Sequence, residues 1–167
     1  MKKLLFIVVA ALSLGIMSCK STMTQKQKDD DLNAILNELK NRLPGTDVSY
    51  LDGRVKIILG ELVYFTVGSA EINNTSAGNL DALADVLNKY PRTSVDLNGY
   101  TDNTGTKAIN DKLSLDRANS VKSYLEGRGV KGRRMLTNGF ADANPVATNE
   151  TADGRQQNRR VEFLIYY

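Results

Sequence analysis

The sequence predicts an α/β fold of the α+β kind, helices packed as a layer on a sheet. Three observations carry this. Helical and strand periodicities alternate along the chain instead of segregating into blocks. Turn chemistry punctuates the periodic runs at Pro44-Gly45, Asp52-Gly53 and Pro91. The 167 residues are 41% hydrophobic and 25% charged, the composition of a globular chain long enough for one domain and an appendage.

Residues 1–18 read as a lipoprotein signal peptide. Lys2 and Lys3 form a basic start, and residues 4–16 are thirteen mostly apolar positions. A spanning helix needs about 20. Small Ser18 precedes Cys19, the only cysteine. The junction Ile16-Met-Ser-Cys19 resembles a bacterial lipobox, with Met17 an unusual occupant. That resemblance implies cleavage before Cys19, acylation of its sulfur and a lipid anchor. The alternative is an uncleaved anchor and a buried free thiol. A single cysteine excludes an internal disulfide.

Residues 19–28 are polar, without hydrophobic period, and read as a tether. The run Gln27-Lys-Asp-Asp30 is similar to surface-export signals of some lipoproteins, but the preferred reading is that Asp29, Asp30 and Asp31 cap the following helix. That helix, 30–43, places Leu32, Ile35, Leu36, Leu39 and Leu43 on one side and stops at Pro44-Gly45. Residues 48–51 and 55–59 around Asp52-Gly53 predict a hairpin. A further strand is expected at 62–67, a loop at 68–78, and a helix at 79–90 with Leu80, Leu83, Ala84 and Leu87 inward. Residues 94–100 alternate Val95, Leu97 and Gly99 against polar neighbours, as a strand does. A helix over 107–126, a strand at 136–140, a loop at 141–153, a helical turn at 154–158 and a strand at 160–166 complete the chain. There is no internal repeat.

The helix at 107–126 contains an anomaly. At roughly 100° per residue, Ile109, Leu113, Val121, Tyr124 and Leu125 share a face, and Arg117 falls near its middle with Asn110 two turns earlier. Long charged side chains rarely face a core without a partner. Two readings of Arg117 stay open: a snorkelling or internally paired cation, or a guanidinium that holds a ligand carboxylate. Fifteen residues earlier, Asp102 leaves the carboxyl end of a strand in the turn Thr101-Asp-Asn-Thr-Gly105, where open sheets often keep ligands. An acid and a base across a short gap suit a zwitterion, with Asp102 on the ammonium and Arg117 on the carboxylate. Arg117 lies roughly 15 Å along the helix from residue 107, so convergence depends on the backward tilt of its side chain.

Charge and chemistry exclude much else. Removing residues 1–18 leaves 20 bases and 19 acids, too balanced for a nucleic-acid surface. The chain has no histidine, no phosphate loop and no metal-ligand spacing, so no cofactor or metal is implied. The only carboxylates that could pair with Asp102 for hydrolysis, Asp111 and Asp116, fall on the solvated side of the helix, and no enzymatic activity is expected.

Six ordered blocks now stand together: Val63-Tyr-Phe-Thr-Val-Gly-Ser-Ala-Glu-Ile72, Gly99-Tyr-Thr-Asp-Asn-Thr-Gly105, Leu113-Ser-Leu-Asp-Arg-Ala-Asn-Ser-Val121, Asn138-Gly-Phe140, Asn144-Pro-Val-Ala147 and Gly154-Arg-Gln-Gln-Asn-Arg-Arg-Val-Glu162. With these the chain closely resembles the OmpA-like peptidoglycan-binding domain, the family of the C-terminal part of outer-membrane protein A, the Pal lipoprotein and MotB. The resemblance implies a two-layer sandwich, a mixed sheet on two main helices, over 61–167, with the amphipathic helix and hairpin of 29–60 in front. It implies that Asp102 and Arg117 grip the diaminopimelate of the peptidoglycan stem peptide, that Asn110 and Thr101 contact ligand, and that Thr66 and Gly68 line the groove, with Arg159 or Arg160 closing its far side. Thr66 stands where many members have aspartate, and Ala141-Asp142 where Gly-Glu is common. The expected protein is a lipid-anchored tether between outer membrane and cell wall, its domain facing the periplasm, with other envelope proteins as further partners. The alternative is an envelope protein–protein interaction module with a degenerate groove.

Overall fold

The computed structural model describes residues 22–60, 65, 68–72 and 77–167. The signal peptide, Cys19, Thr66 and all of the expected strand at 62–67 except Phe65 lie outside these. The elements are α1 (Gln25–Arg42), β1 (Asp47–Leu51), β2 (Arg54–Gly60), α2 (Ala77–Lys89), β3 (Ser94–Tyr100), α3 (Lys107–Gly127), β4 (Met135–Gly139), α4 (Ala152–Asn158) and β5 (Arg160–Tyr166).

The strands form one mixed sheet in the order β1-β2-β5-β3-β4. Among the described strands only β3 and β4 run parallel, joined by α3. The hairpin closes through Asp52 at φ 48° and Gly53 at φ 74°, two left-handed residues that match the twist of the flanking strands. Alternation along β2, β3 and β5 buries Val55, Ile57, Leu59, Val95, Leu97, Val161, Phe163 and Ile165 in one core with the inward residues of the helices. Phe65 makes an isolated antiparallel bridge to Ile72.

Two sequence expectations need correction. The tether does not extend to residue 28: α1 starts at Gln25, because Thr24 and Gln27 form a reciprocal capping box. Asp29, Asp30 and Asp31 therefore lie inside the helix and do not cap it. Asp29 accepts from Gln25, Asp30 pairs with Lys26, and Asp31 accepts from the Tyr167 hydroxyl. In α3, Ile109 is 59% exposed instead of facing the core. The buried stripe is Asn110, Ser114, Arg117, Ala118, Val121 and Leu125. Its N-terminal half is polar, so the centre of the apolar residues is rotated from the face that is covered.

Close backbone approach explains that polar half. A Cβ on Gly99 would sit 1.9 Å from the Ser114 carbonyl oxygen, and one on Gly139 would sit 2.7 Å from the Ser114 hydroxyl oxygen. Helix α3 thus rests directly on the ends of β3 and β4, where only small residues fit. Among the described residues, no helix is long and apolar enough to cross a membrane.

Candidate functional site

The carboxyl end of β3 leads into a turn whose polar groups are spoken for locally. Thr101 donates its backbone N–H to Ala141 O at 2.7 Å and its hydroxyl to Asp102 O at 2.9 Å. Asp102 Oδ1 accepts the Thr104 N–H at 2.8 Å and the Thr104 hydroxyl. The backbone then turns at Gly105, φ 86°, and Thr106 caps α3 by accepting from Ile109 N–H at 3.3 Å. From the first turn of α3, Asn110 reaches back and donates to Thr104 O at 2.9 Å and Asp102 O at 3.3 Å.

Arg117 is 1% exposed, one of the largest fully buried side chains. Its Nε donates to Ser69 O at 3.0 Å, and its guanidinium lies 5.4 Å from the centre of the Phe65 ring. It therefore ties α3 to the segment between β2 and α2. Arg159 follows α4, and its Nη1 donates to Asp102 Oδ2 at 2.6 Å. Burial pushes the Asp102 carboxyl up, but the Thr104 hydrogen bonds and the Arg159 guanidinium outweigh it and hold the carboxyl below its ordinary value.

These groups share one cleft of about 470 Å³, lined by Gly68, Thr101, Asp102, Thr104, Gly105, Ile109, Asn110, Leu113, Arg117 and Arg159. The distance problem along α3 resolves because the cleft runs beside the helix and does not stop at its end. Six of the seven binding residues expected from sequence line it, and Thr66 lies outside the described residues. Arg160 does not line it. It is 2% exposed, stacked 3.9 Å from the Tyr100 ring centre, and bonded to Glu162, Asn158 O and Asn144 O. Sequence reasoning missed Thr104. Its signal was the Asp-Asn-Thr turn, in which a residue two places after aspartate donates to that side chain. Among the described residues no group of three or more acids, histidines or cysteines could hold a metal ion.

The model of the OmpA family covers residues 64–159. The chain belongs to the OmpA family. The chain is 42% identical over 130 residues to the probable lipoprotein YiaD of Escherichia coli, covering 77% of the chain and 59% of YiaD. It is 39% identical to the peptidoglycan-binding protein ArfA of Mycobacterium tuberculosis, over 69% of the chain and 35% of ArfA. It thus spans less than two thirds of either relative. Among solved structures, the cell wall anchor of the T6SS from Pseudomonas aeruginosa superposes with a TM-score of 0.70 at 29% identity, covering 81% of this chain and 96% of the anchor. A MotB-like protein from Desulfovibrio vulgaris shares the fold, with a TM-score of 0.76 at 22% identity over 85% of this chain and 98% of its own.

Proposed function

We propose that the OmpA-like domain, 61–167, binds peptidoglycan non-covalently and that lipid on Cys19 ties it to the outer membrane, with the domain facing the periplasm. The observation that carries the reading is the meeting of Asp102, Asn110, Arg117 and Arg159 in one cleft. An acid held ionised and an arginine behind it suit the ammonium and carboxylate of diaminopimelate, while Thr101 and Gly68 shape the rim. Nothing is converted; the chain is a mechanical tether.

The test is co-sedimentation with purified sacculi. Wild type should pellet and Arg117→Ala should stay in solution; equal pelleting would remove the cleft from the account. Retention should weaken as salt rises, because charge-assisted contacts are screened. The anchor has a separate readout: labelled fatty acid should enter wild type and be lost in Cys19→Ser. A second reading, an interaction module with a degenerate groove, is favoured by the 2.6 Å pairing of Asp102 with Arg159. It requires wild type itself to remain soluble beside sacculi.

A further inference from the structure

Exposed charge is sorted between the two ends of the sheet. At the cleft end, the loop 141–153 carries Asp142, Glu150 and Asp153, all exposed, and no base. On α3 nearby, Lys107 and Lys112 are neutralised by Asp111 and Asp116. The opposite end shows the reverse. The turn from α3 to β4, Arg128-Gly-Val-Lys-Gly-Arg-Arg134, has four bases and no acid.

Two of those bases hold the fold together. Arg134 turns inward and donates to Thr93 O at 2.6 Å, Tyr90 O at 2.9 Å and Leu87 O at 3.0 Å. It closes the carboxyl end of α2 and clamps this turn to the one at Pro91. Arg128 pairs with Asp81 at 2.9 Å and donates to the Tyr124 hydroxyl at 3.1 Å. Lys131 and Arg133 do neither. Both are exposed, as is Arg92 in the adjoining turn, and none of the three makes an ion pair among the described residues.

The sheet brings the three together. Val95 opposes Met135 in the parallel pair β3–β4, so Arg92 and Arg133 stand just before the starts of neighbouring strands, which run about 4.8 Å apart. Glu126 is set against this turn beside Gly132, and Asp52 lies in the hairpin on the far edge of the sheet, so the rim keeps an excess of base. The chain enters α1 at the same end, where Met23 shares a cavity of about 180 Å³ with Tyr90, Arg92 and Tyr167.

We infer that Arg92, Lys131 and Arg133 form a contact surface for the phosphate headgroups of an anionic membrane, and that the exposed acids of 141–153 keep the opposite end away from it. A planar anionic surface attracts bases on a rigid turn through its potential and needs no pocket to do so; the attraction acts within a Debye length. Three bases at such a surface favour the contact by on the order of a hundredfold over random orientation. The separation of charge, not the net charge, orients the domain. The inference does not depend on the cell-wall reading, because the cleft takes no part.

The test is lysine footprinting of the intact protein with vesicles of phosphatidylcholine alone or mixed with phosphatidylglycerol. Acetic anhydride is the reagent, and peptide masses give the acetylation rate at Lys131 relative to Lys107 at the cleft end. Any anchor acts equally in both vesicles, so the difference between them reports headgroup charge. The relative rate at Lys131 should fall roughly tenfold with the anionic lipid, and the protection should vanish in high salt. Arg92→Gln with Arg133→Gln leaves Lys131 as the probe and should bring its rate to within twofold of that in neutral vesicles. Lys40→Gln with Lys112→Gln makes the same change in net charge elsewhere and should keep the protection; thermal melting checks that both variants fold. Equal rates at Lys131 in the two vesicle types overturn the inference. Equal loss of protection in both double variants overturns it too, since bulk charge would then be responsible. Protection of Lys131 by purified sacculi and not by vesicles would assign the surface to the wall and overturn it as well.

Discussion

Asp102 is the residue on which charge, turn and cleft converge. Its depressed carboxyl has a thermodynamic signature. The group contributes stability at pH values above its unfolded value of about 3.9, and that contribution disappears as pH falls through the lower folded value. Asp102→Asn should cost about 1–3 kcal/mol at pH 7, and the gap to wild type should close in acid. Urea melts of both proteins at several pH values measure it, and a pH-independent gap would contradict the assignment. Thr104→Val removes the hydroxyl bond to Oδ1 and should raise the Asp102 carboxyl toward its ordinary value, read by carboxyl-carbon NMR. The sequence made this residue legible because aspartate in a turn after a strand is a conspicuous placement. It made Arg117 legible by putting a base among apolar positions. The pairing of Asp102 with Arg159, 57 residues away, has no local signal and needs the sheet register that sets Tyr100 opposite Arg160. Ala141 adopts φ 50°, a left-handed conformation that costs a side chain about 1–2 kcal/mol.

At the scale of elements, the contact between α3 and the strand ends is the most constrained. Gly99→Ala would drive a methyl group into the Ser114 backbone at 1.9 Å, whereas at Gly139 the nearest atoms, the Leu115 backbone nitrogen and the Ser114 hydroxyl, stand off at 2.7 Å. Overpacking of this kind costs about 1–3 kcal/mol or more, so Gly99→Ala should destabilise more than Gly139→Ala in denaturant melts, and equal losses would argue against the tight crossing. Helix α1 is held differently, by Leu32, Ile35, Leu39 and Leu43. Leu39→Ala should cost about 2–5 kcal/mol through the cavity it leaves. That stripe, the Asp-Gly hairpin and the alternation of β3 were readable because each encodes its own period. The true start of α1 was obscured by its polar first turn, although Thr24-x-x-Gln27 was a readable capping box. The burial phase of α3 was misjudged because the helix lies on glycines: hydrogen-bonding side chains, not apolar ones, fill its closest contact, and a hydrophobic count misses them.

At the scale of the whole molecule, the two ends of the sheet have different work under the proposed function. The cleft opens at the Tyr100–Arg160 end of β3 and β5. The start of α1 lies at the other end: Asp31 accepts from the Tyr167 hydroxyl at 2.5 Å, and Met23 shares a small cavity with Tyr90, Arg92 and Tyr167. Strand β3 spans about 23 Å between these ends at roughly 3.3 Å per residue. With α1 docked from Gln25, only five residues separate it from Cys19, a reach of about 20 Å at full extension. On that proposal, a leash no longer than the sheet would keep the α1 entry next to the lipid and turn the cleft toward the wall. This orientation is measurable because acylation would occupy the only cysteine, leaving an introduced thiol unique. Fluorophores on Arg133→Cys, in the exposed turn before β4, and on Asn103→Cys, in the exposed turn at the cleft, report the two ends. In vesicles carrying a headgroup acceptor, energy transfer should be clearly stronger from position 133 than from position 103. Equal transfer would mean that the domain tumbles freely on its leash, and that the placement of anchor and cleft at opposite ends has no part in how the wall is reached.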